Sequence, residues 1–278
     1  MDNSLKGLPL YDPALKELKL WYESTEDKGT KERLLKILQM HIKRDCYALN
    51  LNTPVTPVRQ EILQFTNTNN WELLAQQKVT QYRLGPNMAS GEWAGQVLKM
   101  LVSMQKAKTV IEIGMFTGFA SLSMAEALPA DGQLFACDIE PYLEKSARSF
   151  FDKSPHGKKI TIKIGPALET LKTLAKEGVK ADFIFIDADK SGYIDYFKSV
   201  LDNNILAPRG TIAFDNIYWF GEPYLQKGCE NTVMAIVHKA IIDDPRVEQV
   251  WIPPSPSSSP SIVPGRVLGF GERSKSIT

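Results

Sequence analysis

The sequence predicts an α/β fold: a mostly parallel sheet of about seven strands, helices on both faces, and a helical extension ahead of it. Three observations carry this expectation. From about residue 86 onward, short β-rich runs alternate with helical stretches, the pattern of a parallel sheet flanked by helices. Residues 1–85, by contrast, are rich in Leu, Lys, Glu and Asn and hold no strand-like run. Carboxylates and glycines recur just beyond the strand runs, where open parallel sheets bind ligands.

In the first segment Leu34, Leu35, Ile37, Leu38 and His41 recur at helical spacing, and Pro54 and Pro57 interrupt the pattern. The chain is therefore divided into an N-terminal helical extension (1–85) and a main domain (86–278). Strands are expected at Thr109–Ile113, Gln133–Asp138, Ile160–Ile164, Ala181–Ile186 and Gly210–Phe214. Helices fit between them at Ala120–Leu128, Tyr142–Ser154, Ala167–Glu177 and Tyr193–Leu201. Val247–Ile252 and Arg266–Phe270 can finish the sheet, separated by the Pro/Ser loop 253–260.

Composition narrows the function classes. The 278 residues are 43% apolar and 23% charged with a net charge of +1, so nothing points to a nucleic-acid partner. No apolar run approaches the roughly 18 residues of a membrane span. The start lacks a signal-peptide pattern. Cys46, Cys137 and Cys229 are widely spaced and odd in number, which fits free thiols in the cytoplasm.

The first strand leads into Glu112-Ile-Gly114-Met-Phe-Thr-Gly118. A dinucleotide turn needs glycines so that backbone can approach a pyrophosphate. Here Phe116 stands in the turn, which disfavours NAD and leaves a phosphate-free nucleoside compatible. Asp138, 24 residues after Gly114, can accept hydrogen bonds from ribose hydroxyls or simply cap the next helix. Glu112 is either a buried structural carboxylate or part of an acidic lining suited to a cationic ligand.

Asp187 closes the fourth strand and Asp215-Asn216 the fifth. Adjacent strands lie about 4.8 Å apart, so these three side chains can converge as oxygen ligands. Oxygen ligation suits a divalent cation such as Mg, Ca or Mn. The plainer alternative is a helix cap and a turn pair. Lys190, three residues after Asp187, is a candidate base or a salt-bridge partner of Asp187 or Asp189. The three histidines, His41, His156 and His238, are not expected to be catalytic.

Over about 88–250 the chain resembles the cation-dependent class I O-methyltransferases, which include the caffeoyl-CoA and catechol enzymes. The carriers are Glu112–Gly118, Gly165-Pro-Ala167, Phe185-Ile-Asp-Ala-Asp-Lys190 and Asp215-Asn216. The resemblance implies a Rossmann-like class I methyltransferase sheet and S-adenosylmethionine as donor. It places the donor at Met88, Ser90, Glu112, Gly114, Phe116, Thr117, Asp138, Ile139, Pro166, Ala167 and Asp187. It implies a metal on Asp187, Asp215 and Asn216, catalytic roles for Lys190 and Asp187, and a small-molecule acceptor with vicinal oxygens. A homodimer is the expected assembly, with the N-terminal helices either mediating it or covering the pocket. The chain departs from the family at Trp93-Ala-Gly-Gln96, at Ala120 where a Ser is frequent (Ser121 is adjacent), at Phe220 where the CoA-ester enzymes often carry Asn, and at the 253–260 loop.

A finer likeness is to the cyanobacterial O-methyltransferases of mycosporine-like amino acid biosynthesis. It rests on Gly114-Met-Phe-Thr-Gly-Phe119, Met124-Ala-Glu-Ala-Leu-Pro129, Ser154-Pro-His-Gly157 and Asp244-Pro-Arg-Val-Glu-Gln249. It implies demethyl-4-deoxygadusol, an enolic ring with adjacent oxygens, as acceptor. Two alternatives stay open: methylation of catechols or other phenolic natural products, and an NAD(P)-dependent oxidoreductase on the same kind of sheet.

Overall fold

Four helices lead the chain: α1 (Pro13–Ser24), α2 (Lys28–Leu51), α3 (Pro57–Thr68) and α4 (Trp71–Gln76). The computed structural model describes residues 12–225, 227–252 and 266–271, together with Leu5 and Leu8. Asp12 and Asp27 cap α1 and α2 by accepting backbone N–H bonds, and Pro57 occupies the first turn of α3, where its missing N–H leaves no gap. The proline that interrupts the helical pattern therefore starts the next helix.

Alternation then sets in: α5 (Gly91–Gln105), β1 (Thr109–Ile113), α6 (Phe119–Ala125), β2 (Gln133–Asp138), α7 (Pro141–Phe151), β3 (Ile160–Ile164), α8 (Ala167–Lys176), β4 (Ala181–Ile186), α9 (Tyr193–Asp202) and β5 (Leu206–Phe214). A short α10 (Glu222–Leu225), α11 (Val233–Asp243), β6 (Val247–Ile252) and β7 (Arg266–Gly271) follow. All seven strands form one sheet in the order β3-β2-β1-β4-β5-β7-β6. The first five are parallel; β7 runs antiparallel to both β5 and β6. The expected α/β architecture is present, and β5 begins earlier than Gly210 because the pairing with β4 tolerates a register shift. Pro208, which has no N–H for a ladder bond, lies in this added stretch beside the irregularity.

The strands are apolar on both faces because helices cover both. Val110, Leu134, Ala136, Phe183, Phe185 and Ala213 face α3 to α7. Ile111, Ile113, Ile184, Ile186, Ile212 and Phe214 face α8, α9 and α11. α3 and α4 contribute Ile62 and Trp71 to the first of these cores. α1 and α2 instead share a small core of their own around Leu15 and Leu38, joined by Leu5 and Leu8. Among the described residues, no helix is long and apolar enough to cross a membrane. Cys46, Cys137 and Cys229 are free thiols. The 253–260 loop, where the chain departs from the family, lies outside the described residues.

Candidate active site

The carboxyl ends of β1, β2, β4 and β5 open into one cavity of about 1050 Å³. On its first side lies the turn after β1. Gly114 has φ +99°, and a Cβ there would sit 1.9 Å from the Asp187 carbonyl oxygen, so only glycine lets the ends of β1 and β4 meet. The turn uses its own donors. Gly114 N and Met115 N both bond Cys137 O, at 2.9 and 3.0 Å, and Gly118 N bonds Met115 O at 3.0 Å. Phe116, itself at φ +50°, donates its N–H to Asp138 Oδ2 at 2.8 Å. A pyrophosphate would find these amides already taken. The Phe116 ring leans on Trp71, with centroids 5.4 Å apart.

Asp138 does not cap α7. Its Oδ1 accepts from Glu140 N at 2.9 Å, and Glu140 itself takes the capping role through Tyr142 N. Burial pushes the Asp138 carboxyl up, against backbone hydrogen bonds from Glu140 and Phe116 that pull it down. The other Glu140 oxygen accepts from Gln81 N and Tyr82 N at 2.6 and 3.0 Å. This buried carboxylate therefore holds down the 81–84 segment, which lines the cavity beside Leu8. Nothing local marks that role, because the contact spans about sixty positions.

The second side of the cavity carries the charged groups. Asp187 and Asp215 directly follow the paired residues Ile186 and Phe214, so they sit side by side at the ends of neighbouring strands. Asp215 is 2% exposed, and its Oδ1 accepts from Asn216 N at 2.9 Å. Asn216 adopts φ +60°, a conformation Asn tolerates better than most residues. Lys190 Nζ lies 3.3 Å from Asp187 Oδ1, 3.0 Å from Ala188 O and 2.6 Å from Tyr193 Oη. The Asp189 carboxylate bonds Ser191 and Tyr196 instead, so Asp187 is the ion-pair partner of Lys190. Burial pushes the Tyr193 phenol well above its ordinary range, aided by Asp187, Asp215 and Asp189, so it stays protonated. Trp219 and Phe220 wall this side, at φ +26° and +55°.

Of the residues proposed from sequence, Met88, Gly114, Phe116, Asp138, Ile139, Pro166, Ala167, Asp187, Lys190, Asp215 and Asn216 meet in this cavity. Ser90, Glu112 and Thr117 stand behind it. Ser90 is buried ahead of α5. Thr117 shares a 2.8 Å hydroxyl bond with Thr66 of α3. Glu112 is fully buried, bonded by the Ser121 hydroxyl through one oxygen while the other has no partner. Burial drives its carboxyl well above the usual range. Ser121 is thereby committed to Glu112 and does not replace the hydroxyl missing at Ala120. Tyr193, Glu140 and Trp219 are the functional neighbours that sequence reasoning missed.

His238 is tied to Ile217 O at 2.8 Å and packs on Trp251; burial lowers its pKa. His156 and Lys159 lie near the end of α6, away from the cavity.

A family model described as O-methyltransferase matches residues 64–255. Caffeoyl-CoA O-methyltransferase 2 of Petunia hybrida is 36% identical over 170 residues, covering 57% of this chain and 69% of the relative. Caffeoyl-CoA O-methyltransferase of Petroselinum crispum is 31% identical over 222 residues, covering 74% and 86%. The O-methyltransferase of Bacillus cereus, solved with SAH, superposes with a TM-score of 0.68 at 22% identity, over 83% of this chain and 97% of that one; at this identity the likeness speaks to fold. The chain therefore belongs to the O-methyltransferase family.

Proposed function

We propose that this O-methyltransferase uses S-adenosylmethionine and a divalent cation to methylate a small acceptor with two adjacent oxygens. One observation carries the reading: the glycine turn with Asp138 and the trio Asp187, Asp215 and Asn216 open into the same cavity. The donor set fits the cation. Two carboxylates and one amide, with no His among the described residues that line the cavity, are hard oxygen ligands.

When bound, the cation supplies a Lewis acid that lowers the pKa of an acceptor hydroxyl. The donor supplies an electrophilic methyl on sulfur. Asp138 offers its remaining lone pairs to ribose hydroxyls. Gly114, Phe116, Pro166 and Ala167 provide a floor of backbone and apolar surface for the nucleoside. Lys190, as the neutral amine, takes the proton from the acceptor oxygen and becomes the ammonium that Tyr193, Ala188 and Asp187 hold. That oxygen forms the new O–CH₃ bond while sulfur keeps the electron pair of the broken S–CH₃ bond. Trp219, Phe220 and Leu8 hold water away from the reacting centre.

The acceptor we propose is a compact enolic ring such as demethyl-4-deoxygadusol. Phe220 supports this, since an aromatic ring borders the cavity where a polar amide is frequent in CoA-ester enzymes. The names of the curated relatives favour a second reading, a caffeoyl-CoA or other phenolic acceptor. The same proposal includes a homodimer, for which Trp21, Met40, Tyr47 and Leu51 on α1 and α2 offer exposed apolar surface.

An acceptor screen with labelled donor tests the reading, using demethyl-4-deoxygadusol, catechols and CoA esters. Replacing Asp215 and Asn216 together with Ala should lower turnover at least about a thousandfold. S-adenosylhomocysteine should still bind the variant in calorimetry. Full activity in the variant, or after exhaustive chelation, removes the cation from the mechanism.

A further inference from the structure

Lys190 is held by more than its ion pair. An ammonium has three protons to donate. Here they meet Tyr193 Oη at 2.6 Å, Ala188 O at 3.0 Å and Asp187 Oδ1 at 3.3 Å. The two shorter bonds go to groups that belong to the frame of the fold. The longest is the one directed at the reacting side.

Tyr193 is suited to be an anchor. It begins α9, is fully buried, and packs its ring 5.8 Å from Phe214 of β5. Its hydroxyl donates to Asp215 O at 3.0 Å. A phenol has one proton, so that bond fixes which way the hydroxyl points. The oxygen lone pair is then left for the Lys190 ammonium. The lysine also lies over the Tyr193 ring at 4.6 Å and the Trp219 ring at 5.2 Å. One side chain thus joins the segment after β4 to the end of β5.

We infer that Tyr193 is a positioning residue for methyl transfer: its hydroxyl, fixed by the Asp215 carbonyl, holds Lys190 Nζ at the reacting edge of the cavity. The catalytic meaning of this rests on the methyl-transfer reading above, whereas the anchoring itself does not. A flexible four-carbon stem carries several rotatable bonds, and misplacement by about 1 Å can lower a rate roughly a hundredfold. Tyr193→Phe keeps the ring and removes only the hydroxyl.

The kinetic test uses Tyr193→Phe, Lys190→Met and the double variant. Tyr193→Phe should lower kcat about ten- to a hundredfold, leaving the S-adenosylhomocysteine Kd within about twofold. The cation concentration giving half-maximal activity should not move. In the Lys190→Met background, Tyr193→Phe should cause no further loss, because the anchored group is gone. Two multiplicative losses overturn the inference, as does unchanged kcat. A shifted cation requirement also overturns it, since Tyr193 would then act through Asp215.

A second measurement needs no turnover. Side-chain NMR relaxation at the Lys190 Cε should report a rigid group in the wild type and a mobile one in Tyr193→Phe. Equal rigidity in both overturns the anchoring. If no acceptor is methylated by the wild type, the methyl-transfer reading fails, and the relaxation data still decide whether Tyr193 holds Lys190.

Discussion

The two sides of the cavity are built from different materials. The side around Gly114 and Asp138 is made of backbone: amides of the turn bond the Cys137 carbonyl and the Asp138 carboxylate, and glycine allows the close approach to β4. The side around Asp187, Lys190 and Asp215 is made of side chains, with Tyr193 bonding Lys190 and the Asp215 carbonyl and Trp219 packing on Lys190. Backbone frames tolerate exchange of side chains and fail when the path of the chain changes. Side-chain frames fail one residue at a time. The first therefore suits a ligand common to a family, and the second can be retuned for an acceptor.

Three substitutions can break or sharpen this contrast. The largest effect belongs to Gly114→Ala. A Cβ 1.9 Å from Asp187 O at φ +99° cannot be absorbed by moving a side chain. We expect a loss of at least about 4 kcal/mol of stability, seen as a collapse of Tm or of soluble yield. A well-folded variant that binds S-adenosylhomocysteine normally would show that the backbone side is not rigid.

Lys190→Ala comes next. Turnover should fall by about a hundredfold or more, while donor affinity in calorimetry changes little. Unchanged kcat removes Lys190 as the base. Lost donor affinity would mean that the two sides are not separable.

The smallest effect is expected for Glu112→Gln, behind both sides. Burial raises the folded pKa of Glu112 well above its ordinary value. Stability is then fullest below that value and declines as pH rises toward the folded pKa, because the buried group resists ionising. The amide keeps an oxygen for Ser121 and cannot ionise. Tm should therefore rise by a few degrees at pH 7 to 8, at about 2–4 °C per kcal/mol, and the gain should vanish below about pH 4. A loss of stability at neutral pH would mean that the charged carboxylate has a partner in the fold.

Strand ends were legible in the sequence because period and composition change there, and the sheet then brings Asp138, Asp187 and Asp215 to one edge. Residues inside a contiguous motif were harder to sort. Glu112 and Thr117 belong to the same run as Gly114, but they turn toward Ser121 and Thr66 behind the cavity. Adjacency along the chain says little about facing, since neighbouring side chains in a strand or turn point apart. Glu140 was missed for another reason. Its value comes from Gln81 and Tyr82, which no local pattern links to it. Tyr193 enters the sequence reading only as the start of a helix and acquires its role only when β5 is placed beside it.

The position of β7 has a consequence for how the molecule comes to be. It lies between β5 and β6, although both precede it in the chain. Until residues 266–271 are synthesised, Thr211–Ala213 of β5 have no partner on that side, and β6 has nothing to pair with. Each is an open hydrogen-bonding edge, the feature by which nascent chains stick to one another. Of the described strands, the latest in chain order is thus the one that seals the sheet, and chains made only as far as β6 should depend on holdase chaperones more than those that include β7.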